Sequence, residues 1–111
     1  MSEYDRLASV LKAMGHPLRL RILCMLAGGE EISVQDLVER VGTTQSNVSQ
    51  HLSLLRDAGV ICARRDATRV YYRLAAQEFE RLLTLLRQGA DDSRAARPDT
   101  RLTGLSAGSP R

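Results

Sequence analysis

From Thr44 to His51 the chain reads Thr-Gln-Ser-Asn-Val-Ser-Gln-His, a run in which every side chain except Val48 can donate or accept a hydrogen bond. The amides of Gln45, Asn47 and Gln50 match the paired donor and acceptor on the major-groove edge of adenine. The hydroxyls of Ser46 and Ser49 suit base edges or phosphates. Some residues further on, Arg64, Arg65, Arg69 and Arg73 offer guanidinium groups that clamp phosphates or enter a narrow minor groove. Together the two sets have the chemistry to grip duplex DNA, the first reading sequence and the second supplying affinity.

Thiols and imidazoles are the other reactive groups. Cys24 and Cys62 are too few and too isolated for a disulfide framework, so they read either as packing residues or as thiol sensors. The histidines are His16 and His51. His16 precedes a helix start. His51 closes the polar run and reads as a structural or phosphate-binding residue, not a metal ligand. No metal or cofactor is expected. The chain has no glycine-rich phosphate loop and no paired carboxylates in a plausible pocket, so an enzyme is not expected either.

A length of 111 residues, 43% of them hydrophobic, suits one domain with one modest core. The formal net charge of +3 says less than its distribution. Residues 1–42 carry five basic and six acidic side chains, whereas residues 43–73 carry five arginines against Asp57 and Asp66. The positive charge therefore falls where the hydrogen-bonding run and the arginines lie. The longest apolar run, Ile22 to Ala27, is too short for a membrane span or a signal segment, which leads us to expect no membrane contact and a cytoplasmic protein.

These side chains must be positioned by regular elements. Tyr4, Leu7, Ala8, Leu11 and Met14 fall at three- and four-residue steps and predict a first helix. Gly15 breaks it, and Pro17 suits the first turn of a second helix running to about Ala27. After Gly28 and Gly29, Ser33 and Asp36 are spaced as an N-cap and its acidic partner. The stripe Val34, Leu37, Val38 and Val41 then predicts a third helix of two turns, stopped by Gly42. Thr44 caps a fourth helix with the stripe Val48, Leu52 and Leu55, ending near Ala58 before Gly59. Two short helices joined by a glycine-containing turn predict a helix-turn-helix. Val60 to Arg65 and Arg69 to Leu74 predict a β-hairpin. Its tip, Asp66 to Thr68, lacks Gly and Asn and so predicts a type I or longer loop. Phe79, Leu82, Leu83 and Leu86 restore helical spacing from Gln77 to about Gln88. From Gly89 to Arg111 large apolar residues are sparse, predicting a disordered tail beyond a domain of residues 1–88.

The stretches Leu11-Lys12-Ala13-Met14-Gly15-His16-Pro17-Leu18-Arg19-Leu20-Arg21-Ile22-Leu23, Gln45-Ser46-Asn47-Val48-Ser49-Gln50-His51-Leu52, Leu55-Arg56-Asp57-Ala58-Gly59-Val60 and Val70-Tyr71-Tyr72-Arg73-Leu74 resemble the ArsR/SmtB family of repressors. The resemblance runs from about residue 5 to residue 88. It implies a mainly helical winged helix-turn-helix fold of five helices and a two-stranded wing. It further implies a homodimer, formed through the first and last helices, that reads a palindromic operator as a repressor and leaves when an effector binds. The competing reading is a winged helix answering to a partner protein, as an antitoxin or an anti-silencing activator does.

Many relatives bind metal through a Cys-x-Cys pair at the start of the third helix, where this chain has Ser33-Val34-Gln35; others use histidines on the last helix, which has none here. Ile22-Leu23-Cys24-Met25-Leu26 is similar to the branch that senses reactive sulfur or oxidants through a second-helix thiol. The partner thiol of that branch falls at about Asp91 in this chain.

Overall fold

Most of the helices begin where a side chain can take up a free backbone N–H. The computed structural model describes residues 1–95. The first helix, α1 (Glu3–Met14), starts with a reciprocal cap: the Ser2 hydroxyl accepts from the Asp5 N–H, and the Asp5 carboxylate accepts from the Ser2 N–H, both at 3.1 Å. At α2 (Pro17–Leu26) the cap is an imidazole, His16 Nδ1 accepting from the Leu18 N–H at 3.1 Å. Ser33 caps α3 (Val34–Val41) by accepting from the Asp36 N–H, and Thr44 caps α4 (Gln45–Asp57) by accepting from the Asn47 N–H. Between these two helices Gly42 takes φ = +81°, the left-handed conformation that ends α3 at little cost in a residue without Cβ.

The hairpin strands are β2 (Ile61–Asp66) and β3 (Arg69–Leu74), registered from Ile61 opposite Leu74 to Asp66 opposite Arg69. The wing has three strands, not two. A short β1 (Ile32–Ser33) pairs antiparallel with β3, Ile32 opposite Tyr72 and Ser33 opposite Tyr71, giving the order β1-β3-β2. Two residues are too few to show a period, so β1 is defined only by its distant partner.

The hairpin tip also differs from the expected loop. Pairing continues to Asp66 and Arg69, leaving Ala67 and Thr68 as a two-residue turn with Ala67 at φ = +57°. Among the described residues, Ala67 is the non-glycine residue with positive φ, so the strand twist imposes the tight turn without the usual glycine.

The last helix, α5 (Gln77–Ala95), is longer than expected. It passes through Gly89 and the supposed domain boundary at residue 88. A glycine inside a helix costs only about 1 kcal/mol relative to alanine, which an otherwise continuous helix absorbs. Residues 96–111 of the expected tail lie outside the described residues.

The core is one cluster built from Met14, Ile22, Leu23, Leu26, Ile32, Leu37, Val48, Leu52, Leu55, Val60, Ile61 and Leu83, with Val34 at its margin. The expected α4 stripe, Val48, Leu52 and Leu55, is fully buried. Each such side chain contributes about 1.5–3 kcal/mol, enough to hold α4 rigidly by one face.

Replacing Ala67 with glycine should relieve the left-handed strain, partly offset by the greater freedom of glycine in the unfolded chain. We expect a gain of about 0.5–1 kcal/mol in denaturant unfolding. A loss of stability in Ala67→Gly would mean that the turn is not strained.

Candidate nucleic-acid interface

Burial of one face of α4 leaves the other to solvent. Gln45, Ser46 and Gln50 are exposed and Ser49 is half-buried. Positions 45 and 49, and 46 and 50, are one helical turn apart, so these four side chains form one polar patch on the N-terminal half of the helix. Thr44 is committed through its hydroxyl to the cap. Asn47 is half-buried, its amide donating to the Thr43 hydroxyl at 3.3 Å.

His51 belongs to a polar junction between α2 and α4. An arginine can only donate, so the 3.1 Å contact from Arg19 Nη1 makes His51 Nδ1 an acceptor and places the ring proton on Nε2. Arg19 also donates from Nε to the Ala13 carbonyl at the end of α1. The His51 ring lies 4.6 Å from the His16 ring, tilted by 41°. One guanidinium and two imidazoles thus join the end of α1, the start of α2 and the middle of α4. A second guanidinium, Arg21, donates to the carbonyls of Arg40 and Val41 at the end of α3. A cation there also suits the helix dipole.

The wing arginines separate into different roles. Arg65 and Arg69 are exposed near the hairpin tip. Arg73 is exposed on the central strand and donates to the Leu74 carbonyl at 3.2 Å. Arg64 is engaged by protein: Nε lies 3.0 Å from both Glu31 carboxylate oxygens and Nη2 lies 2.7 Å from one of them. This fork of hydrogen bonds holds the Glu31 carboxyl below the usual carboxylate range and raises the Arg64 guanidinium above its own.

A polar helix face beside a cationic three-stranded wing is the equipment of a winged helix-turn-helix, and comparison with known proteins agrees. The family model described as "Bacterial regulatory protein, arsR family" matches residues 16–62. The biofilm growth-associated repressor of Agrobacterium fabrum is 42% identical over 79 residues, covering 71% of this chain and 67% of its own length. The transcriptional activator HlyU of Vibrio cholerae is 43% identical over 77 residues, covering 69% and 70%. The homodimeric winged helix-turn-helix DNA-binding domain Mb0332 from Mycobacterium bovis, described as a possible ArsR-family regulator, superimposes with a TM-score of 0.75 at 34% identity, covering 83% of this chain and 89% of that one. This chain belongs to the arsR family. It is a DNA-binding transcriptional regulator.

Within this arsR-family chain, Ser33 is buried and spent on capping α3. Cys24 and Cys62 are both free thiols, half-buried. Cys24 packs against the core from α2, whereas Cys62 sits opposite Arg73 and alternates with the buried Ile61, on the other face of the sheet. Among the described residues no three His, Cys, Asp or Glu side chains converge as metal ligands, and no helix is long and apolar enough to cross a membrane.

Sequence reasoning assigned no role to Arg19, Arg21 or Glu31. The first two had a legible signal: a cation in the first turns of a helix opposes the dipole and therefore calls for a partner elsewhere. Glu31 had none, its partner being 33 residues away.

Burial holds His51 below the ordinary imidazole range, with repulsion from His16 and Arg19 adding to the effect. The fold thus favours the neutral ring, and the unfolded chain binds the proton first as pH falls. The His51 contribution is present in full above about 6.5 and declines below that value. Thermal stability should therefore decline as pH falls below about 6.5. His51→Asn, which keeps an acceptor for Arg19 but does not titrate, should reduce the drop. An unchanged decline in the variant would assign it to other groups.

Proposed function

We propose that the chain is a homodimeric, sequence-specific repressor that reads a palindromic operator and releases it when an effector acts. The observation that carries this reading is the polar patch of exposed Gln45, Ser46 and Gln50 with half-buried Ser49, on a helix anchored by its opposite face. Such a patch suits the major groove, with Asn47 and the Thr44 cap at its edge and His51 supporting it from within. Arg65, Arg69 and Arg73 take phosphates alongside.

A second copy has an apolar surface to cover. Tyr4, Leu7 and Leu11 on α1 are 78%, 51% and 59% exposed, and Leu85 and Leu86 on α5 are 65% and 52% exposed. Their helical spacing supports dimerisation through these two helices, and a two-fold dimer reads half-sites roughly 34 Å apart. As a member of a family of bacterial regulators, the protein would meet chromosomal DNA in the cytoplasm. The candidate effectors are a thiol-reactive species acting at Cys24, alone or by exchange with Cys62, and a small molecule or partner protein that leaves both thiols as packing residues.

The deciding experiment is fluorescence anisotropy with DNA from upstream of the chain's own gene, first reduced and then with polysulfide. Tight binding that is lost on treatment, restored by dithiothreitol and made insensitive by Cys24→Ser supports the whole reading. Binding indifferent to polysulfide removes the thiol effector, and no preference for the upstream fragment over random duplex removes the repressor. With two or three phosphate contacts per subunit, log affinity should fall against log salt with a slope of about −4 to −5. Gln50→Ala should lower sequence preference by about 1–3 kcal/mol, whereas Arg65→Ala should weaken all sequences alike. Leu11→Glu should yield monomers in sedimentation velocity; a dimer in that variant would move the interface elsewhere.

A further inference from the structure

We propose that Glu31, Arg64 and Tyr71 form a strap that sets the angle of the wing against the helix-turn-helix, making Glu31 and Arg64 positioning residues for DNA binding. The proposal rests on the DNA-binding mode above.

Register places the three residues on one face of the sheet. Arg64 on the edge strand β2 is opposite Tyr71 on the central strand, and Tyr71 is opposite Ser33 on β1. Glu31 precedes β1 by one residue and is two from Ser33, so it shares that face. The Arg64 guanidinium passes over the Tyr71 ring, 5.0 Å from its centroid, and reaches Glu31 beyond it. The side chain therefore bridges one edge of the sheet to the other. The fork holds orientation as well as distance, because Nε touches both carboxylate oxygens at 3.0 Å while Nη2 holds one at 2.7 Å.

The geometry explains why a strap is needed. β1 pairs through only Ile32 and Ser33, and Ser33 is at once the last residue of β1 and the cap of α3. The hairpin is anchored at its base by Ile61, whereas its distal residues, Arg65 to Arg69, are exposed. From Ile61 to Asp66 the strand spans about 17 Å, so a tilt of about 10° at the base moves the tip by about 3 Å. A shift of that size breaks a guanidinium–phosphate hydrogen bond. Fixing Arg64 to the segment that enters α3 ties the wing cations to the frame that carries the recognition helix.

The charges also point this way. A carboxylate on a DNA-facing wing repels phosphate, and Glu31 engages the Nε and Nη2 donors of Arg64. The other charged groups nearby are Asp66, whose carboxylate is 4.0 Å from Arg64 Nη1, and Arg73, which also lowers the Glu31 pKa. The Arg64 and Glu31 side chains are 51% and 32% exposed. Exposed pairs add little to folding stability, so the expected effect is on position.

The test compares Glu31→Gln, Arg64→Lys and the double variant, using the full chain and the upstream DNA fragment. Glu31→Gln removes a negative charge and would ordinarily tighten DNA binding; a broken strap weakens it. Arg64→Lys keeps the charge that a phosphate contact needs but cannot fork onto a carboxylate. We expect each single variant to weaken binding about tenfold and to make the salt slope shallower by about 2, one lost contact per wing of the dimer. The double variant should be no worse than either single, and melting temperatures should be unchanged. In the free protein, hydrogen exchange at the β2 and β3 amides should accelerate toward the tip in both singles. Tighter binding by Glu31→Gln, or losses that multiply in the double variant, would overturn the strap and return Arg64 to the phosphate-binding set. Wild-type protein that binds no duplex, with wing exchange still accelerated in Glu31→Gln, would overturn the DNA-binding mode and leave the mechanical link standing.

Discussion

The rotation of α4 about its own axis is decided by the burial of Val48, Leu52 and Leu55. Successive helical residues lie about 100° apart, so a misplacement by one position would swing the polar patch of Gln45, Ser46, Ser49 and Gln50 away from solvent. Other features of the fold act to keep that stripe in register. Leu37 of α3 and Ile22 and Leu23 of α2 belong to the same core, and the turn at Gly42 brings α3 against α4.

Apolar packing fixes rotation but tolerates sliding, and the polar contacts supply what it lacks. Arg19 joins the end of α1 to His51 on α4, Arg21 joins α2 to the end of α3, and Arg64 joins β2 to the segment before β1. In each case a planar guanidinium reaches a fixed acceptor on another element. The arginines named above therefore fall into two groups: Arg65, Arg69 and Arg73 are exposed to solvent, whereas Arg19, Arg21 and Arg64 are bonded to other parts of the fold. Composition counts both kinds alike, which is why a positive segment of sequence overstates the charge available to a nucleic acid.

What was legible in the sequence follows from the range of the interactions involved. The stripe of α4, the caps Ser33 and Thr44, and the bounds of β3 are written in neighbouring residues and were read correctly. β1 was not, because two residues become a strand only by meeting Tyr71 and Tyr72. The tight turn at Ala67 was missed because the strands impose it against local preference, and the length of α5 because a single glycine was read as a stop. At the candidate interface, the solvent-facing positions Gln45, Ser46 and Gln50 follow from the helical period of the buried stripe. The engagement of Arg64 by Glu31, and of His51 by Arg19, does not, since 33 and 32 residues separate the partners.

The strand order β1-β3-β2 leaves β2 at the edge of the sheet, with backbone N–H and C=O groups on one side open to any chain that could extend the ladder. Three consecutive charged residues, Arg64, Arg65 and Asp66, occupy the outer half of that strand. Desolvating them against another hairpin is costly, so the edge resists becoming a template for sheet growth. A wing rich in arginine is thus also self-protecting, and the density of charge that suits a polyanion keeps neighbouring copies from stacking when none is present.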